Sequence, residues 1–363
     1  MSALFSRWPE LQGRLPHMPL ANLPTPVERL DPPLGAGVRA PGAGLWIKRD
    51  DISGHLYGGN KVRKLEFILA DALQRGAEVL WTVGAVGSHH ALACALYGQA
   101  HGLKVHIVHF PQPPNTHVQS VLSALSATDA QLHLTRHASL MPLAMARTHA
   151  SLSRRHPRKV AFVPPGGSNT LGTIGYVAAA IELADQIAAG LAPQPARIYV
   201  PVGSTSTFAG LWLGCKLAGL KTEVIGVRVV DLVAANALNA ARLIRSASAL
   251  LHAAAPSIPL VDPDPGALQI RHGYFGQTYG ASTRRGDRAT HLFASMGHDL
   301  DPTYTAKVAA GLLDELNRPN LRPLGPVLFW QTLSSITAPP GDAASLSRLP
   351  PAYKAFLAHQ ERP

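Results

Sequence analysis

The sequence is poor in cysteine, in aromatic residues and in charge. Of its 363 residues, 2 are cysteine, 6% are aromatic and 15% are charged. Cys94 and Cys215 both lie in apolar, helix-like runs, which indicates buried free thiols and a reducing compartment rather than a disulfide scaffold. The HExxH and CxxC spacings of zinc sites are absent as well, so we predict no metal site.

Long apolar runs are also missing. No stretch approaches the length that spans a bilayer, and the first twenty residues lack the apolar core of a signal peptide. We therefore expect a cytoplasmic protein without a membrane partner.

Acidic residues are scarce, at 22 against 33 lysines and arginines, and the net charge is +11. Such an excess attracts polyanions. The arginines are scattered, however, with one local concentration at residues 153–159, and no basic stripe interleaved with aromatic residues is present. We predict no nucleic-acid partner and expect the basic surface to serve an anionic cofactor and substrate.

What the sequence does contain is a regular alternation of strand-like and helix-like segments. Hydrophobic residues make up 46% of the chain, which is enough for two domains or lobes. The strand-like segments are residues 45–49, 78–83, 104–110, 131–135, 159–163, 197–202, 222–230 and 327–332. Helical periodicity between them predicts an α/β fold with parallel sheets flanked by helices, whose ligands bind at the carboxyl ends of strands. The proline-rich tail from Ala338 is predicted to lie on the surface.

The stretch GGNKVRKLE, residues 58–66, places Lys61 at the start of a predicted helix. The positive end of the helix dipole, together with Arg63 and Lys64, disfavours the charged form of this lysine. A lowered pKa would make the Lys61 amine a nucleophile. A solvated basic helix start has the same composition, so this stretch alone leaves both interpretations open.

The segment GSTST, residues 203–207, lies between a hydrophobic strand and an amphipathic helix. Backbone N–H groups at a helix start, small residues and three hydroxyls suit a phosphate. The GK[ST] ending of a nucleotide P-loop is absent, and GAVGS at residues 84–88 lacks the full GxGxxG spacing. A polar turn without a ligand remains an alternative. Combined with Lys61, the segment suggests pyridoxal 5'-phosphate, which a lysine amine holds as an imine.

Several motifs in order resemble one family, the 1-aminocyclopropane-1-carboxylate deaminases and D-cysteine desulfhydrases. They cover the chain from about residue 23 to 332. The motifs are IKRDDISGHLYGGNKVRKLE with the following segment to residue 95, PPGGSNTLGTIGYVAAAIEL, GSTSTFAGL, TYGAS and LDPTYTAKVAAGL.

This resemblance implies a two-lobed, fold-type II pyridoxal-phosphate enzyme similar to the tryptophan synthase β subunit. It implies a large cofactor-binding domain at residues 1–62 and 179–363, a smaller inserted α/β domain at 63–178, and a homodimer. The catalytic residues that it implies are Lys61, Ser88, Tyr279 and Tyr304. The implied cofactor-binding set is Asn60, Lys61, Lys64, His89, Gly203, Ser204, Thr205, Ser206, Thr207, Thr305 and Thr332.

The chain departs from the family's pattern beside the serine. Gly87 and His89 stand where the family usually has glutamine and asparagine, and QTLSS at residues 331–335 replaces an HTGG-like run. Thr305 stands where the cyclopropane deaminases resemble one another in having a glutamate that keeps the pyridine nitrogen protonated. A neutral threonine weakens that electron sink.

The threonine favours β-elimination on a small amino acid, as in the D-cysteine desulfhydrases, yielding a keto acid, ammonia and sulfide. The alternatives are ring opening as in the cyclopropane deaminases, β-substitution or racemisation of a non-standard substrate, and a catalytically silent homologue that binds pyridoxal phosphate.

Histidines form the last candidate group. His106 and His109 could join His89 and His90 around a metal, but residues three apart on a strand point to opposite faces. We therefore interpret them as ordinary, partly exposed histidines.

Overall fold

The structure is a computed structural model that describes residues 2–33, 44–318, 320 and 325–357. Its strands are β1 (Val27–Leu30), β2 (Leu45–Lys48), β3 (Val79–Ala85), β4 (Lys104–Phe110), β5 (Gln131–Leu134), β6 (Val160–Val163), β7 (Arg197–Val202), β8 (Glu223–Arg228), β9 (Ile270–Arg271) and β10 (Val327–Trp330). Its α-helices are α1 (Ala3–Arg7), α2 (Asn60–Gln74), α3 (His89–Ala100), α4 (Thr116–Ser126), α5 (Met141–Arg155), α6 (Thr170–Ala188), α7 (Ser206–Ala218), α8 (Ala237–Ala254), α9 (Arg284–Ser295), α10 (Thr305–Asn317), α11 (Ala343–Arg348) and α12 (Pro351–Leu357).

The chain divides into two compact units. The larger comprises Met1–Leu15, Pro19–Phe67 and Ser168–Ile336, and the smaller comprises Pro16–Met18, Ile68–Gly167 and Thr337–Pro363. In the part of the chain that the structure describes, no helix is long and apolar enough to cross a bilayer.

The larger unit is built on a six-stranded sheet in the order β1-β2-β10-β7-β8-β9. All neighbouring strands are parallel except β1, which runs antiparallel to β2. Alternate residues of β7 enter different cores: Ile198 and Val200 pack with α6, α7 and α8, whereas Tyr199 packs with α9 and α10. Helices therefore cover both faces of the sheet, as the alternating sequence pattern predicts.

The smaller unit contains a four-stranded parallel sheet in the order β5-β4-β3-β6. Helix α5 covers one face through Leu152, which packs with Trp81 and Val108. On the other face Gly98 of α3 lies against Val105 and Leu80, where a Cβ atom would be 2.8 Å and 3.3 Å from their side chains. The prediction of parallel sheets flanked by helices is thus confirmed in both units.

Side-chain caps account for the starts of several helices. An asparagine or threonine accepts a hydrogen bond from a first-turn N–H group, which lacks a partner within the helix. These caps are Asn115 for α4, Asn169 for α6, Asn236 for α8 and Thr283 for α9.

The tail corrects one prediction. Tyr353 of α12 is fully buried and Leu349 is 5% exposed, and both pack against Val118 and Leu122 of α4. The Tyr353 hydroxyl lies 2.9 Å from Nδ1 of His109 on β4. Leu349 and Tyr353 therefore belong to the smaller unit's core, whereas most of the other described residues from Ala338 onward are exposed, so the predicted surface position is wrong at these two residues.

Candidate active site

Lys61 lies in the first turn of α2, directly after the Gly58–Gly59 pair. Its Nζ atom donates a hydrogen bond to Oδ1 of Asn60 and lies 6.0 Å from the ring centroid of Tyr304. The Asn60 side chain in turn donates to Oγ1 of Thr207, at 3.0 Å. Asn60 therefore joins the candidate lysine to the GSTST segment, two features that are far apart in the sequence.

A buried cluster of charges holds the first turns of α2 in place. Arg63 donates to Asp50, with its shortest contact at 2.7 Å, and to Glu182 at 2.9 and 3.0 Å. Lys48 donates to the same Glu182 at 2.6 Å. Two cations face two anions here, so no net charge is buried.

Neutral side chains complete this cluster. Tyr176 and Trp330 each donate to Oδ2 of Asp50 at 2.7 Å, and Thr25 donates to Oδ1 at 2.9 Å. Burial opposes ionisation of Glu182, but Arg63 and Lys48 lower its pKa to about 2. The carboxylate is therefore charged at neutral pH, and both partners stay paired.

Gly175 of α6 brings that helix against the backbone of α2. A Cβ atom at position 175 would lie 2.2 Å from the carbonyl oxygen of Arg63, a separation that no side chain can occupy. The absence of a side chain thus lets α6 fix the backbone two residues beyond Lys61.

The GSTST segment has the geometry of an anion cradle. Thr205 has a left-handed backbone with φ 68°, which turns the chain from β7 into α7, and α7 begins at Ser206. Oγ of Ser168 lies 2.7 Å from Oγ of Ser204 and 2.8 Å from that of Ser206. Orphan N–H groups at a helix start and hydroxyls beside them suit a phosphate, so these residues fit the phosphate of pyridoxal phosphate.

Gly203, the first residue of this segment, lies beside the ring of Tyr304. A Cβ atom at position 203 would be 3.3 Å from Cε1 of that ring. The hydroxyls of Tyr304 and Tyr279 are 2.6 Å apart. Burial raises the pKa of Tyr279 to about 12 and raises that of Tyr304 well above its ordinary value. Both tyrosines therefore carry their protons at neutral pH.

Thr305 is fully buried and bonded to Asp301. Its Oγ1 donates to the Asp301 carboxylate at 2.8 Å and accepts from the Asp301 backbone N–H at 2.8 Å. The carboxylate also accepts from the backbone N–H groups of Thr303 and Tyr304, at 2.9 and 2.7 Å. Asp301 therefore caps the start of α10 and fixes the backbone beside the tyrosine pair.

The two remaining predicted residues of the larger unit flank the lysine. The Thr332 carbonyl accepts from the Asn60 backbone N–H at 3.1 Å. Lys64 is 2% exposed, and its Nζ lies 5.8 Å from the ring centroid of Tyr176. Burial, and then the charge of Lys61, lower its pKa well below the ordinary value. Around Lys61 the structure thus brings together Asn60, Lys64, Tyr304, Thr207 and Thr332.

Ser88 and His89 belong to the smaller unit, where they open α3. Oγ of Ser88 accepts from the N–H of Ala91 at 3.2 Å and so caps the helix. The ring centroids of His89 and His117 are 4.4 Å apart.

The other described histidines are not grouped around a possible metal site. Among the described residues no group of three or more His, Cys, Asp or Glu is arranged to bind a metal ion. His109 is fully buried and His90 is 4% exposed, so the interpretation of these two as partly exposed is wrong, whereas His106 is half-buried and stacks on His133. Cys94 and Cys215 are buried thiols that form no disulfide among the described residues, as predicted.

Sequence reasoning missed the residues that position the site. Asp50 and Glu182 lie inside motifs that carry the family resemblance, but neither was singled out, although charged KRDD so close to an apolar strand is an unusual pattern that could have indicated buried ion pairs. Asp301 was missed because no sequence motif marks an aspartate that binds the backbone three residues before a tyrosine.

A lysine held at a helix start and joined by Asn60 to an anion cradle defines a class, the enzymes that bind a phosphorylated aldehyde cofactor through a lysine amine. Comparison with known proteins identifies the family within this class. Residues 18–332 match the profile of the pyridoxal-phosphate dependent enzymes, and the chain belongs to that family.

Similarity to individual proteins agrees with this family membership. The chain is 34% identical over 329 residues to a D-cysteine desulfhydrase of Klebsiella pneumoniae (strain 342), covering 88% of this chain and 94% of the relative. It is 34% identical over 327 residues to a D-cysteine desulfhydrase of Salmonella choleraesuis (strain SC-B67), with the same coverage. The crystal structure of a 1-aminocyclopropane-1-carboxylate (ACC) deaminase homologue matches with a TM-score of 0.75 and 29% identity, over 93% of this chain and 96% of that chain.

A crystal structure of O-ureido-L-serine synthase, at 13% identity and a TM-score of 0.58 over 93% of this chain and 94% of that chain, shares the fold. These findings confirm the predicted fold type, the enzyme class and pyridoxal phosphate as the cofactor.

Proposed function

We propose that the chain catalyses β-elimination on D-cysteine. The Cα–H and Cβ–S bonds break, sulfide departs, and addition of water to the remaining imine yields pyruvate and ammonia. The observation that carries this proposal is the bridge from Lys61 through Asn60 to Thr207, which joins an imine-forming amine to a phosphate cradle. The choice of D-cysteine as the substrate rests on the relatives, which are named D-cysteine desulfhydrases.

Most of the candidate site residues have a role in this proposal. Bound pyridoxal phosphate supplies an electron sink for the bonds at Cα of an amino acid. Lys61 holds the cofactor, and Ser204, Ser206 and Thr207 bind its phosphate through their hydroxyls and helix-start N–H groups. Asn60 orients the Lys61 amine. Because it holds its proton at neutral pH, the Tyr279–Tyr304 pair donates a proton to the departing sulfur.

The α proton is taken by Lys61 or Ser88. Thr332 and Lys64 hold the backbone and the surroundings of Lys61, and His89 is assigned to cofactor binding through the family resemblance. Thr305 stands where the cyclopropane deaminases resemble one another in having a glutamate, and its hydroxyl is already bonded to Asp301 as both donor and acceptor. A threonine in that state offers no charge to keep a pyridine nitrogen protonated, which favours β-elimination over ring opening.

A second candidate is ring opening of ACC, because the chain resembles the structure of an ACC deaminase homologue. The products separate the two reactions. D-cysteine gives pyruvate and sulfide, whereas ACC gives 2-oxobutanoate and no sulfide. Turnover of ACC without sulfide release from D-cysteine would replace the first candidate by the second.

The cofactor assignment has a spectroscopic test. The purified protein should absorb visible light as an imine, and Lys61→Ala should remove that band. Lys221→Ala, a change at an exposed lysine of the same unit, is the control and should keep it. An unchanged visible spectrum in Lys61→Ala would end the assignment of Lys61.

We include a cytoplasmic homodimer in the proposal, with cofactor binding assigned to the large domain at residues 1–62 and 179–363 and the insert at 63–178 contributing Ser88. Light scattering after size-exclusion chromatography tests the dimer, and a mass of 38.5 kDa, that of one chain, would refute it.

A further inference from the structure

The segment that carries Tyr279 has no regular secondary structure of its own. It connects β9 to α9, and neither a helix nor a strand lies between those two elements. Gly273, Gly276 and Gly280 all have left-handed backbones, with φ of 86°, 83° and 81°. Because no strand pairs with it, the backbone of this segment needs hydrogen-bond partners from other elements, and α10 supplies one.

One face of α10 holds the first half of this segment. Lys307, Gly311 and Asp314 are at the i, i+4 and i+7 positions of the helix and so share that face. The Lys307 ammonium donates to the Phe275 carbonyl at 2.7 Å. The Tyr274 hydroxyl donates to Asp314 at 3.1 Å, and a Cβ atom at Gly311 would lie 3.5 Å from the Tyr274 ring. Successive turns of α10 therefore hold residues 274 and 275.

Two cations lie near the ring of Phe275. Nζ of Lys307 is 5.5 Å from the ring centroid, and Cζ of Arg228 is 5.4 Å from it. Attraction between a cation and an aromatic ring adds to the hydrogen bond at the carbonyl. Phe275 is thus attached through its backbone and through its side chain.

Lys307 is fully buried, which is rare for a lysine. Burial lowers its pKa to about 8, although the Asp301 carboxylate opposes the shift. The amine therefore keeps most of its positive charge at neutral pH, and its hydrogen bond to Phe275 is charge-assisted. A methionine would fill a similar space without the desolvation penalty, so what a lysine adds at this position is the hold on the Phe275 carbonyl.

Residues 276–280 follow directly and bear Tyr279. The first and last of them are glycines with left-handed backbones, which leave the path of this stretch to be set by its attachments. One attachment is the Phe275 carbonyl, and another is the Tyr279 hydroxyl, 2.6 Å from that of Tyr304. Tyr304 directly precedes α10. The helix that holds Phe275 therefore also positions the partner of Tyr279.

We propose that Lys307 is a positioning residue for Tyr279. By holding the Phe275 carbonyl, it fixes the point from which residues 276–280 extend and so keeps the Tyr279 hydroxyl against Tyr304. This inference rests on the proposed function, because it takes Tyr279 to donate a proton to the departing sulfur. All the contacts that carry it lie within the larger unit.

Two substitutions remove the ammonium. Lys307→Met keeps the length of the side chain and removes both the charge and the donor. Lys307→Gln removes the charge and ends one bond short of the Nζ position. The matched control is Lys216→Met, because Lys216 is an exposed lysine of the same unit that also lies near an aromatic ring, 5.6 Å from that of Trp212. Thermal unfolding shows which variants are folded.

Chymotrypsin reports the position of Tyr279 independently of turnover. The protease cleaves after aromatic residues, and cleavage after Tyr279 requires this side chain to leave Tyr304 and enter the protease. The rate follows the population of the opened segment when opening is fast. We expect this cleavage, identified by mass spectrometry, to be about tenfold faster in Lys307→Met, as befits the loss of a charge-assisted hydrogen bond. Lys216→Met should stay within about twofold of the parent protein.

Two substrates test whether this positioning serves proton donation. In the proposed reaction the departing sulfur accepts a proton from Tyr279, whereas the chloride of β-chloro-D-alanine departs without one. Lys307→Met should lower kcat for D-cysteine about tenfold and leave kcat for β-chloro-D-alanine within about twofold. In the Tyr279→Phe background the same substitution should have no further effect, since the residue that it positions has no hydroxyl to donate.

The inference is overturned if cleavage after Tyr279 is no faster in Lys307→Met than in Lys216→Met, or if Lys307→Met slows both substrates equally. If the methionine variant does not fold, Lys307→Gln is judged by the same two criteria. Failure of the proposed function looks different. A parent enzyme that releases no sulfide from D-cysteine overturns the reaction assignment, and cleavage after Tyr279 then decides the positioning role alone.

Discussion

Arg63 is a charged residue that is 1% exposed and lies two positions beyond the candidate cofactor lysine. Replacing it by methionine would leave Asp50 and Glu182 without their main cation. Truncating one partner of a buried ion pair costs about 3–5 kcal/mol, because the remaining charge is buried and uncompensated. We expect Arg63→Met to lower the free energy of unfolding in urea by that amount and to weaken the visible cofactor band.

Arg75 provides the control on the same helix. It pairs with Asp71 one turn away, but its side chain is 68% exposed. Exposed pairs of this kind contribute about 0.3–0.5 kcal/mol. Arg75→Met should therefore leave both stability and the cofactor band nearly unchanged, and an equal loss in the two variants would contradict a special role for the buried cluster.

His109 should make the protein sensitive to mild acid. Burial, and then the neighbouring His133, lower its pKa from 6.5 to about 3. Between these values the unfolded chain binds the proton and the folded chain does not. Stability is therefore complete above pH 6.5 and falls as the pH drops towards 3, by about 1.4 kcal/mol per pH unit.

The comparison that tests this is His109→Gln. The free energy of unfolding, measured from pH 7.5 to 5, should fall more steeply in the parent protein than in this variant. Because other titrating groups are common to both proteins, the difference in slope reports His109 alone. Equal slopes would show that folding does not lower the pKa of His109.

The site roles of single residues were predictable where adjacent residues in the sequence form a recognisable motif. Lys61 and the GSTST segment were found because glycines, a helix start and hydroxyls are adjacent in sequence. Lys307, by contrast, binds the Phe275 carbonyl 32 residues away, and nothing in the sequence marks that contact. The Glu182 partner of Arg63 is 119 residues distant, so only the folded chain shows the pair.

Helix α12 belongs to the core of the smaller unit. Tyr353 is fully buried against α4 and reaches His109 through its hydroxyl. Removing a large buried aromatic side chain costs about 3–5 kcal/mol. We expect Tyr353→Ala to destabilise the protein by that amount in thermal or urea unfolding.

The adjacent residue serves as the reference for this substitution. Lys354 is exposed, so Lys354→Ala should change the free energy of unfolding by less than about 0.5 kcal/mol. If Tyr353→Ala were as mild as Lys354→Ala, the tail would not be part of the folded core.

Elements were predicted well where one period dominates. The largely apolar segments at β3 and α6 predict a buried strand and a buried helix directly. The burial of Leu349 and Tyr353 was not predicted because the prolines around them were given more weight than these two apolar residues. Strand β1 was missed because its four residues gain their place only by pairing with β2.

At the scale of the whole molecule, folding and cofactor binding are linked. A ligand that binds only the folded state stabilises it by about 2.7 kcal/mol at one hundred times its dissociation constant. The apoprotein should therefore melt at a lower temperature, and Tm should rise with added pyridoxal phosphate. Differential scanning fluorimetry across a range of cofactor concentrations measures this.

Lys61→Ala in the same experiment separates phosphate binding from imine formation. It keeps the GSTST phosphate cradle and loses the imine, so its Tm should still rise with pyridoxal phosphate, though at higher concentrations. A Tm that does not respond to the cofactor in the parent protein would contradict the assignment of this site.

The packing of α12 against α4 also sets an order of events during synthesis. The strands of the smaller unit leave the ribosome long before Tyr353 is made, so Val118 and Leu122 have no cover during most of translation. That unit can complete its core only when α12 has emerged. A product truncated before α12 therefore exposes an apolar surface of α4 to chaperones and proteases.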